Sequence, residues 1–572
     1  MLRFYDSSHE SRPSYSADWG DYISFAEHLR RRADSDGTDL LLIDTGDRIE
    51  GNGLYDGSDP KGEYTFDIIK QQNIDLICIG NHELYHANSS LNELEKTVPN
   101  FADAYLASNV DIKDPATGEL QPLAPRFKKF VTKNQGIRIL AFGFIFDFHR
   151  NADNTVIQDV EDTVKEAWFR NAIAERDVDL IIVIGHVNLR SAEYDVLFQT
   201  IRSEQWDTPI QFFGGHTHIR DFKIFDSLST GIESGRYAET IGFLSMQNVV
   251  KSKGQSAASK PTFSRRYIDN NLYSLYHHSG KDVSTFDTSL GNNVTDEITA
   301  ARRALKLNHA LGCAPYDLWV DRRPYPDNQS IFTWLEEDVL PTELKDGQTP
   351  GKPALIFSNT GAIRYDIHKG PFTRDSTFLV SPFTSGFRMV RNVPMKAAKK
   401  ILDLVNHDGP IMDGVADKQQ KGMSMDRMLS PEQLAWAVKE NLQPGLTTRK
   451  MYNNAVAEWL LSGPSEDLTP GYLTTDDAGA EGDDTLHKPI PFFKVPNCIQ
   501  VPVNYDADSP PETVDVVYNE FIQPWILLAL NYLGFGVADN DTAVYMEGQT
   551  LTSVISNWIE DNWECEEGRT EL

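Results

Sequence analysis

Between Leu40 and His218, four apolar runs of strand type break off in the same way, into glycine together with carboxylate, amide or imidazole side chains. "LLLIDTGDRIEG" delivers Asp44 and Asp47, "LICIGNHE" Asn81 and His82, "LIIVIGHV" His186, and "QFFGGHTH" His216 and His218. Strands that are apolar throughout are those covered on both faces. Between them lie segments with helical apolar spacing, among them "DYISFAEHLRRRAD", "TVKEAWFRNAIAER" and "AEYDVLFQTIRSE". This alternation predicts a layered α/β domain. In open α/β sheets, ligands bind at the carboxyl ends of strands, so four polar strand ends can converge on one site.

Past Phe222 the strands shorten ("FKIFDS", "GFLSMQN", "TFSRRYID") and read as the closing strands of the same domain. Residues 280–296 are polar and rich in Gly, Ser and Thr, which reads as a linker, followed by a helix, "DEITAARRALKLNHALG". A second domain has its own strands ("PALIFSN", "TFLVSPF") and helices ("MKAAKKILDLVNH", "PEQLAWAVKENL"). At 572 residues the chain is too long for one core. The predicted division is 1–285 for the first domain, 286–312 for linker and bridging helix, and 313–572 for the second, with an acidic insertion near 465–484.

The formal charge of −30 repels phosphate backbones, so nucleic acid is not an expected partner. Phosphate chemistry stays open, because bound cations reverse the sign locally. The four cysteines are too widely spaced for a zinc pattern; Cys78 reads as a buried thiol, and bridges among Cys313, Cys498 and Cys565 stay open. Sequons begin at Asn88, Asn293, Asn328 and Asn540, about as many as chance supplies. The opening "MLRFYDSSHESRPS" has no apolar core of signal-peptide type, and the apolar run near Trp525–Ala538 is too short to span a bilayer.

Each strand-end residue also has a plain structural reading. Asp44 reads as a turn or cap residue, Asp47 alone could cap, and a lone His186 is an ordinary partly buried histidine. In the extended His-Thr-His segment, both imidazoles point the same way. The ordered set of four loops is what favours a shared site. Carboxylate, amide oxygen and imidazole together suit Mn, Fe, Zn, Co or Ni. One carboxylate can bridge two cations ~3.5–4 Å apart, a centre that activates water and clamps a phosphoryl group. His82 is read as a general acid or stabiliser of developing charge, and Glu83 as structural support.

At these residues the chain resembles the calcineurin-like metallophosphoesterases: Asp47, Gly80-Asn81-His82-Glu83, Gly185-His186 and Gly215-His216-Thr217-His218 look like their signature. The segment Glu233–Met246, "NTGAIRYDI" (Asn359–Ile367) and "SPFTSGF" (Ser381–Phe387) resemble the 5′-nucleotidase branch, nearest its fungal vacuolar type. The resemblance implies an α/β/β/α sandwich followed by a smaller α/β substrate-binding domain. It implies metal-dependent hydrolysis of phosphate esters, of 5′-nucleotides or related small molecules, by metal-activated water. Two divalent cations are implied, with Asp47 bridging, Asn81, His186 and His216 completing one site and His218 belonging to the other. His82 would be catalytic, Asn359 and Arg364 would contact substrate, and Phe383 would stack a base. Arg364 also reads as a surface ion-pair residue and Phe383 as core. A vacuolar or secretory location is implied, with the cytoplasm as the alternative.

Two departures qualify this. The family's first motif, an apolar strand running into Asp-x-His, has no counterpart of that form; the opening offers Asp6 and His9 at Asp-x-x-His spacing. The expectation is that the chain starts downstream of the motif, leaving the His218 metal weakly held; imperfect substitution by Asp6 or His9 is the alternative. "NYLGFGVADNDT" offers only Phe535 where the family has a second stacking aromatic. Two other functions stay open: a catalytically degenerate binding or scaffold protein, and a cyclic-nucleotide or nucleotide-sugar phosphodiesterase.

Overall fold

The computed structural model describes residues 17–249, 261–345, 347, 350–406, 493, 495–506 and 508–565. Asp6, His9, the acidic insertion near 465–484 and "PEQLAWAVKENL" lie outside the described residues. Among the described residues there are two compact units. One holds the chain up to Glu50 with Asp59–Ala301; the other holds Gly51–Ser58 with the chain from Arg302 on.

In the first unit, helix α1 (Trp19–Asp36) leads into a small parallel sheet of β1 (Ile43–Asp44), β2 (Leu76–Cys78) and β3 (Tyr105–Leu106). A six-stranded sheet follows: β4 (Phe127–Val131), β5 (Arg138–Ile145), β6 (Leu180–His186), β7 (Ile210–Phe213), β8 (Arg220–Asp226) and β9 (Ser229–Ser234). Its spatial order is β8-β9-β7-β6-β5-β4, and β5, β6, β7 and β9 run parallel. A two-stranded antiparallel ribbon closes the unit, β10 (Thr240–Gln247) with β11 (Thr262–Asp269).

Apolar side chains leave both faces of the central strands. Leu140, Phe142, Phe144, Ile181 and Val183 pack with Phe169 and Ile173 of α2 (Ala167–Ala174) and Tyr194, Leu197 and Ile201 of α3 (Ala192–Glu204). The alternate residues Ile139, Ala141, Leu180, Ile182 and Ile184 pack with Leu76, Cys78 and Leu106 of the small sheet. Each of these strands is therefore covered twice, which is why it reads as an unbroken apolar run. Helices, sheet and second sheet form successive layers.

In the second unit a five-stranded sheet has the order Cys498–Val503, Ala354–Asn359, Thr513–Asn519, Gly386–Pro394, Ala543–Thr550. Its core joins Phe357, Val390, Val516 and Tyr518 to Trp525, Ile526 and Leu530 of the helix Gln523–Tyr532. Cys313 and Cys565 form a disulfide, while Cys78 and Cys498 are buried free thiols. Phe535 packs against this core.

Three local readings change. The helix Ser289–Ala304 starts inside 280–296, read from composition as linker; Val294, Ile298 and Ala301 are buried on its one apolar stripe. The run "TFLVSPF", read as strand, belongs mainly to the helix Arg374–Val380, which Thr373 and Ser376 start with a reciprocal capping box. Short apolar runs do not distinguish the two states; the cap does. "TDLLLID" contributes only the two-residue strand β1 among the described residues; the Leu42 N–H before it donates to the Asp75 side chain rather than to a strand backbone.

A capping box also starts α1: Asp21 N–H donates to Asp18 and Asp18 N–H to Asp21, both at 2.9 Å. Burial, then the Asp18 charge, raise the Asp21 carboxyl from 3.8 to about 7. A raised folded-state pKa adds stability that is full below 3.8 and lost as pH rises through about 7. Asp21→Asn keeps the accepting oxygen and is expected to flatten this slope, so its urea midpoint gains on the parent between pH 4 and 7. Parallel pH profiles for the two proteins would refute the assignment.

Candidate metal centre

The β1 and β2 ends meet backbone to backbone. A Cβ on Gly46 would lie 2.4 Å from Gly80 N, and one on Gly80 2.1 Å from Asp47 Oδ1. Only glycine fits either position. Asp47 itself has φ +61°, and its Oδ1 accepts from His82 N–H at 3.0 Å. Glu83 clamps the two loops: its carboxylate accepts from Asp47 N–H (3.0 Å), Arg48 N–H (2.5 Å) and Gly80 N–H (2.9 Å). Beneath them Arg48 is fully buried and donates to Asp44 (2.9 Å), the Cys78 carbonyl (2.8 Å) and Glu93 (2.8 Å). Asp44 is thus a turn residue that also accepts from Gly46 N–H at 2.9 Å.

Strand β6 carries His186 in from the six-stranded sheet. Its Nδ1 lies 2.9 Å from the Thr45 carbonyl, which has only acceptor capacity, so Nδ1 carries the hydrogen. Its Nε2 is 2.9 Å from Asp47 Oδ2 and 3.3 Å from His216 Nδ1. The candidate ligand atoms of Asp47, His186 and His216 lie within 4.8 Å of one another. His216 has φ +79° and His218 φ +60°, a region that costs a non-glycine residue on the order of 1–3 kcal/mol. Phe146 stacks on His216 with ring centroids 4.3 Å apart. Glu233, buried, steadies this loop by accepting from Thr217 Oγ1 and from Leu189 N–H. Burial, and then the charge of Asp221, hold the Glu233 carboxyl well above the usual range.

Asn81 supplies the decisive detail. Its Nδ2 donates to Tyr85 Oη at 3.0 Å, while its Oδ1 is buried with no hydrogen-bond donor among the described residues. An orphaned buried acceptor is costly. Together with a carboxylate and two imidazoles, it is the donor set of a borderline divalent cation, so the residues fit one. Burial opposes the charge on Asp47, but the imidazoles of His186 and His82 overcome it and hold the carboxyl well below its usual range. Burial, and then His186, push the His216 imidazolium well below its ordinary pKa.

His82 stands beside this group. Its Nε2 is 3.7 Å from Asp47 Oδ2, and its Nδ1 is 2.6 Å from Glu50 Oε2. Glu50 is buried with φ +64°. Burial would raise its carboxyl, but the hydrogen bond and charge of His82 lower it. Tyr85 meets the His82 ring edge to face at 5.2 Å. His218 lies outside the Asp47–His186–His216 group and contacts Tyr237, with centroids 5.2 Å apart.

In the second unit Asn359 ends a strand, and its Oδ1 accepts from Asn519 Nδ2 at 2.6 Å. The Arg364 guanidinium lies 4.9 Å over the half-buried Phe383 ring. Glu50 and Asn519 were missed by sequence reasoning. Asn519 had a signal, since "VVYN" is another apolar strand ending in an amide. Glu50 had none.

Residues 9–220 match the calcineurin-like phosphoesterase model, and residues 317–527 the C-terminal domain model of NAD nucleotidase. A Candida albicans 5′-nucleotidase crystal structure superposes with a TM-score of 0.83 at 38% identity, covering 98% of this chain and 96% of that one. The chain belongs to the 5′-nucleotidase-like family of calcineurin-like phosphoesterases. A Schizosaccharomyces pombe relative, an uncharacterized protein, is 35% identical over 96% of this chain and 85% of its own length. A secreted protein of Arthroderma benhamiae is 33% identical over 94% and 85% respectively. A Thermus thermophilus 5′-nucleotidase precursor shares the fold, with a TM-score of 0.54 at 14% identity, covering 97% of this chain and 93% of that one. This 5′-nucleotidase-like protein is thus a mixed α/β hydrolase of the phosphoesterase type, with a nucleotidase-type second domain.

Proposed function

We propose that the protein hydrolyses phosphate esters of 5′-nucleotides or related small phosphorylated molecules, using two divalent cations (Mn, Fe, Zn, Co or Ni). The observation that carries this reading is the orphaned Asn81 Oδ1 beside the close-set Asp47, His186 and His216. Asp47 would bridge, Asn81, His186 and His216 would hold one cation, and His218 would serve the other. A cation held here supplies Lewis acidity, activating water at neutral pH and neutralising phosphate charge. Glu83 and the two glycines fix Asp47 against Asn81, so the ligands need not reorganise on binding. His82, with Nδ1 engaged by Glu50, presents Nε2 to protonate the leaving alkoxide or to stabilise its developing charge. Asn359 and Arg364 would contact substrate, and Phe383 offers a flat face to a base.

The test is metal analysis combined with phosphate release. Purified protein is loaded with each of the five metals and offered AMP, ADP, NAD, a cyclic nucleotide and bis(p-nitrophenyl) phosphate. Metal-dependent phosphate release from AMP, with two metals per chain, is the expected result; full activity with one metal would sink the two-cation reading. A second reading is a catalytically degenerate protein on the same fold that binds its ligand without turnover. Nucleotide binding without phosphate release would select it.

We infer an oxidising compartment, vacuolar or secretory, because a structural disulfide such as Cys313–Cys565 persists where thiols are not kept reduced. Cys313→Ser is expected to lose about 2–4 kcal/mol of stability. Unchanged urea unfolding of that variant would mean the bridge adds nothing.

A further inference from the structure

Asn81, His82 and Tyr85 share one short helical turn. The backbone of Asn81 (φ −77°, ψ −25°) and of Tyr85 (φ −62°, ψ −35°) is right-handed helical, with the tight turn His82–Leu84 between them. Leu84 N–H closes it onto the Asn81 carbonyl at 3.1 Å. Residues three and four apart on such a turn lie on the same face. Tyr85 therefore stands beside both His82 and Asn81, while Glu83 serves the Asp47 loop and Leu84 the buried interior.

Tyr85 touches each neighbour with a different part of its side chain. Its hydroxyl accepts from Asn81 Nδ2 at 3.0 Å. Its ring meets the His82 imidazole with centroids 5.2 Å apart and planes at 83°. It also meets the Phe148 ring, with centroids 5.4 Å apart and planes at 78°. Phe148 is buried and packs on Phe146 at 5.5 Å, and Phe146 stacks on His216. One run of aromatic rings thus joins the loop after β2, which carries Asn81 and His82, to the loop after β5 and to His216. Edge-to-face pairs have preferred orientations as well as distances, so the run fixes how each ring is turned.

The two contacts of Tyr85 bear on different steps. The Asn81 amide has an oxygen side and an NH₂ side, and only the oxygen can ligate a cation. A hydroxyl both donates and accepts, so Tyr85 holds the plane of the amide and a cation selects the oxygen. Without the hydroxyl the amide has to be ordered when the cation binds. The ring contact acts on His82 instead, which Glu50 holds at Nδ1 from another side.

We propose that Tyr85 is a positioning residue of this centre: its hydroxyl keeps the Asn81 amide in place as an oxygen ligand, and its ring keeps the His82 imidazole in register with it. The inference rests on the reading of the site as a metal centre and adds the residue that ties a ligand to the acid.

Titration of the metal-free full chain with Co²⁺, followed by calorimetry and visible absorption, tests this beside single-turnover hydrolysis of AMP at saturating Co²⁺. Tyr85→Phe keeps the ring and removes the hydroxyl. Its Kd for Co²⁺ is expected to rise about tenfold, with the saturated rate within about twofold of the parent. Tyr85→Leu removes both contacts and is expected to show the same rise in Kd with a saturated rate about tenfold lower. In an Asn81→Ala background, where Asp47, His186 and His216 are left to hold the cation, Tyr85→Phe is expected to raise the Kd no further. An unchanged Kd in Tyr85→Phe, a second tenfold rise on top of Asn81→Ala, or equal saturated rates in the Phe and Leu variants would overturn the proposal. The Kd comparison needs no turnover, so it decides the role of Tyr85 even if the hydrolase reading fails. A parent that binds no Co²⁺ would sink the metal reading, and this inference with it.

Discussion

Replacing His82 by alanine is expected to lower kcat by about 10²–10⁴-fold while leaving metal content unchanged. The ring is placed for chemistry rather than ligation. Its Nδ1 is taken up by Glu50 at 2.6 Å, and Tyr85 meets it edge-on. Nε2 lies farther from Asp47 Oδ2, at 3.7 Å, than His186 Nε2 does, at 2.9 Å. Glu50→Gln keeps an acceptor but removes the charge, so a loss of about 10–100-fold in kcat is expected, again with metal retained. Metal analysis beside single-turnover kinetics separates the possibilities. Metal lost from His82→Ala would make His82 a ligand, and full turnover in that variant would remove it from the mechanism.

Asp47→Asn is expected to have the other large effect, a loss of at least about 10³-fold in kcat/KM accompanied by loss of metal. The carboxylate has two jobs in the fold. Oδ1 accepts the His82 N–H, and Oδ2 lies 2.9 Å from His186 Nε2. An amide can replace the first contact but cannot bridge cations, and its NH₂ group can sit against His186. The variant is therefore expected to fold and unfold like the parent in urea, with metal content reduced. Retained metal together with retained activity would show that Asp47 does not ligate.

Much of the fold and of the candidate centre was readable before any coordinates, because the relevant information is local. Each candidate ligand follows an apolar strand, and a strand end is a place in the fold as well as in the chain. α3 runs over the same residues as its periodic segment, Ala192–Glu204. Where local pattern failed, a competing local or long-range term decided. The Thr373 capping box made a helix of "TFLVSPF", and one buried stripe carried a helix into the polar segment before residue 296.

By itself, the sequence determined the layered α/β architecture, the family, and which side chains stand at the strand ends. Those properties follow from period, burial and turn chemistry within short windows. Only the tertiary structure decided which of those side chains meet. Glu50 reaches His82 across 32 positions, Glu83 clamps Asp47 and Arg48, and Asn81 Oδ1 has no donor among the described residues. Contacts between segments far apart in the chain depend on how layers stack, and no short window encodes that.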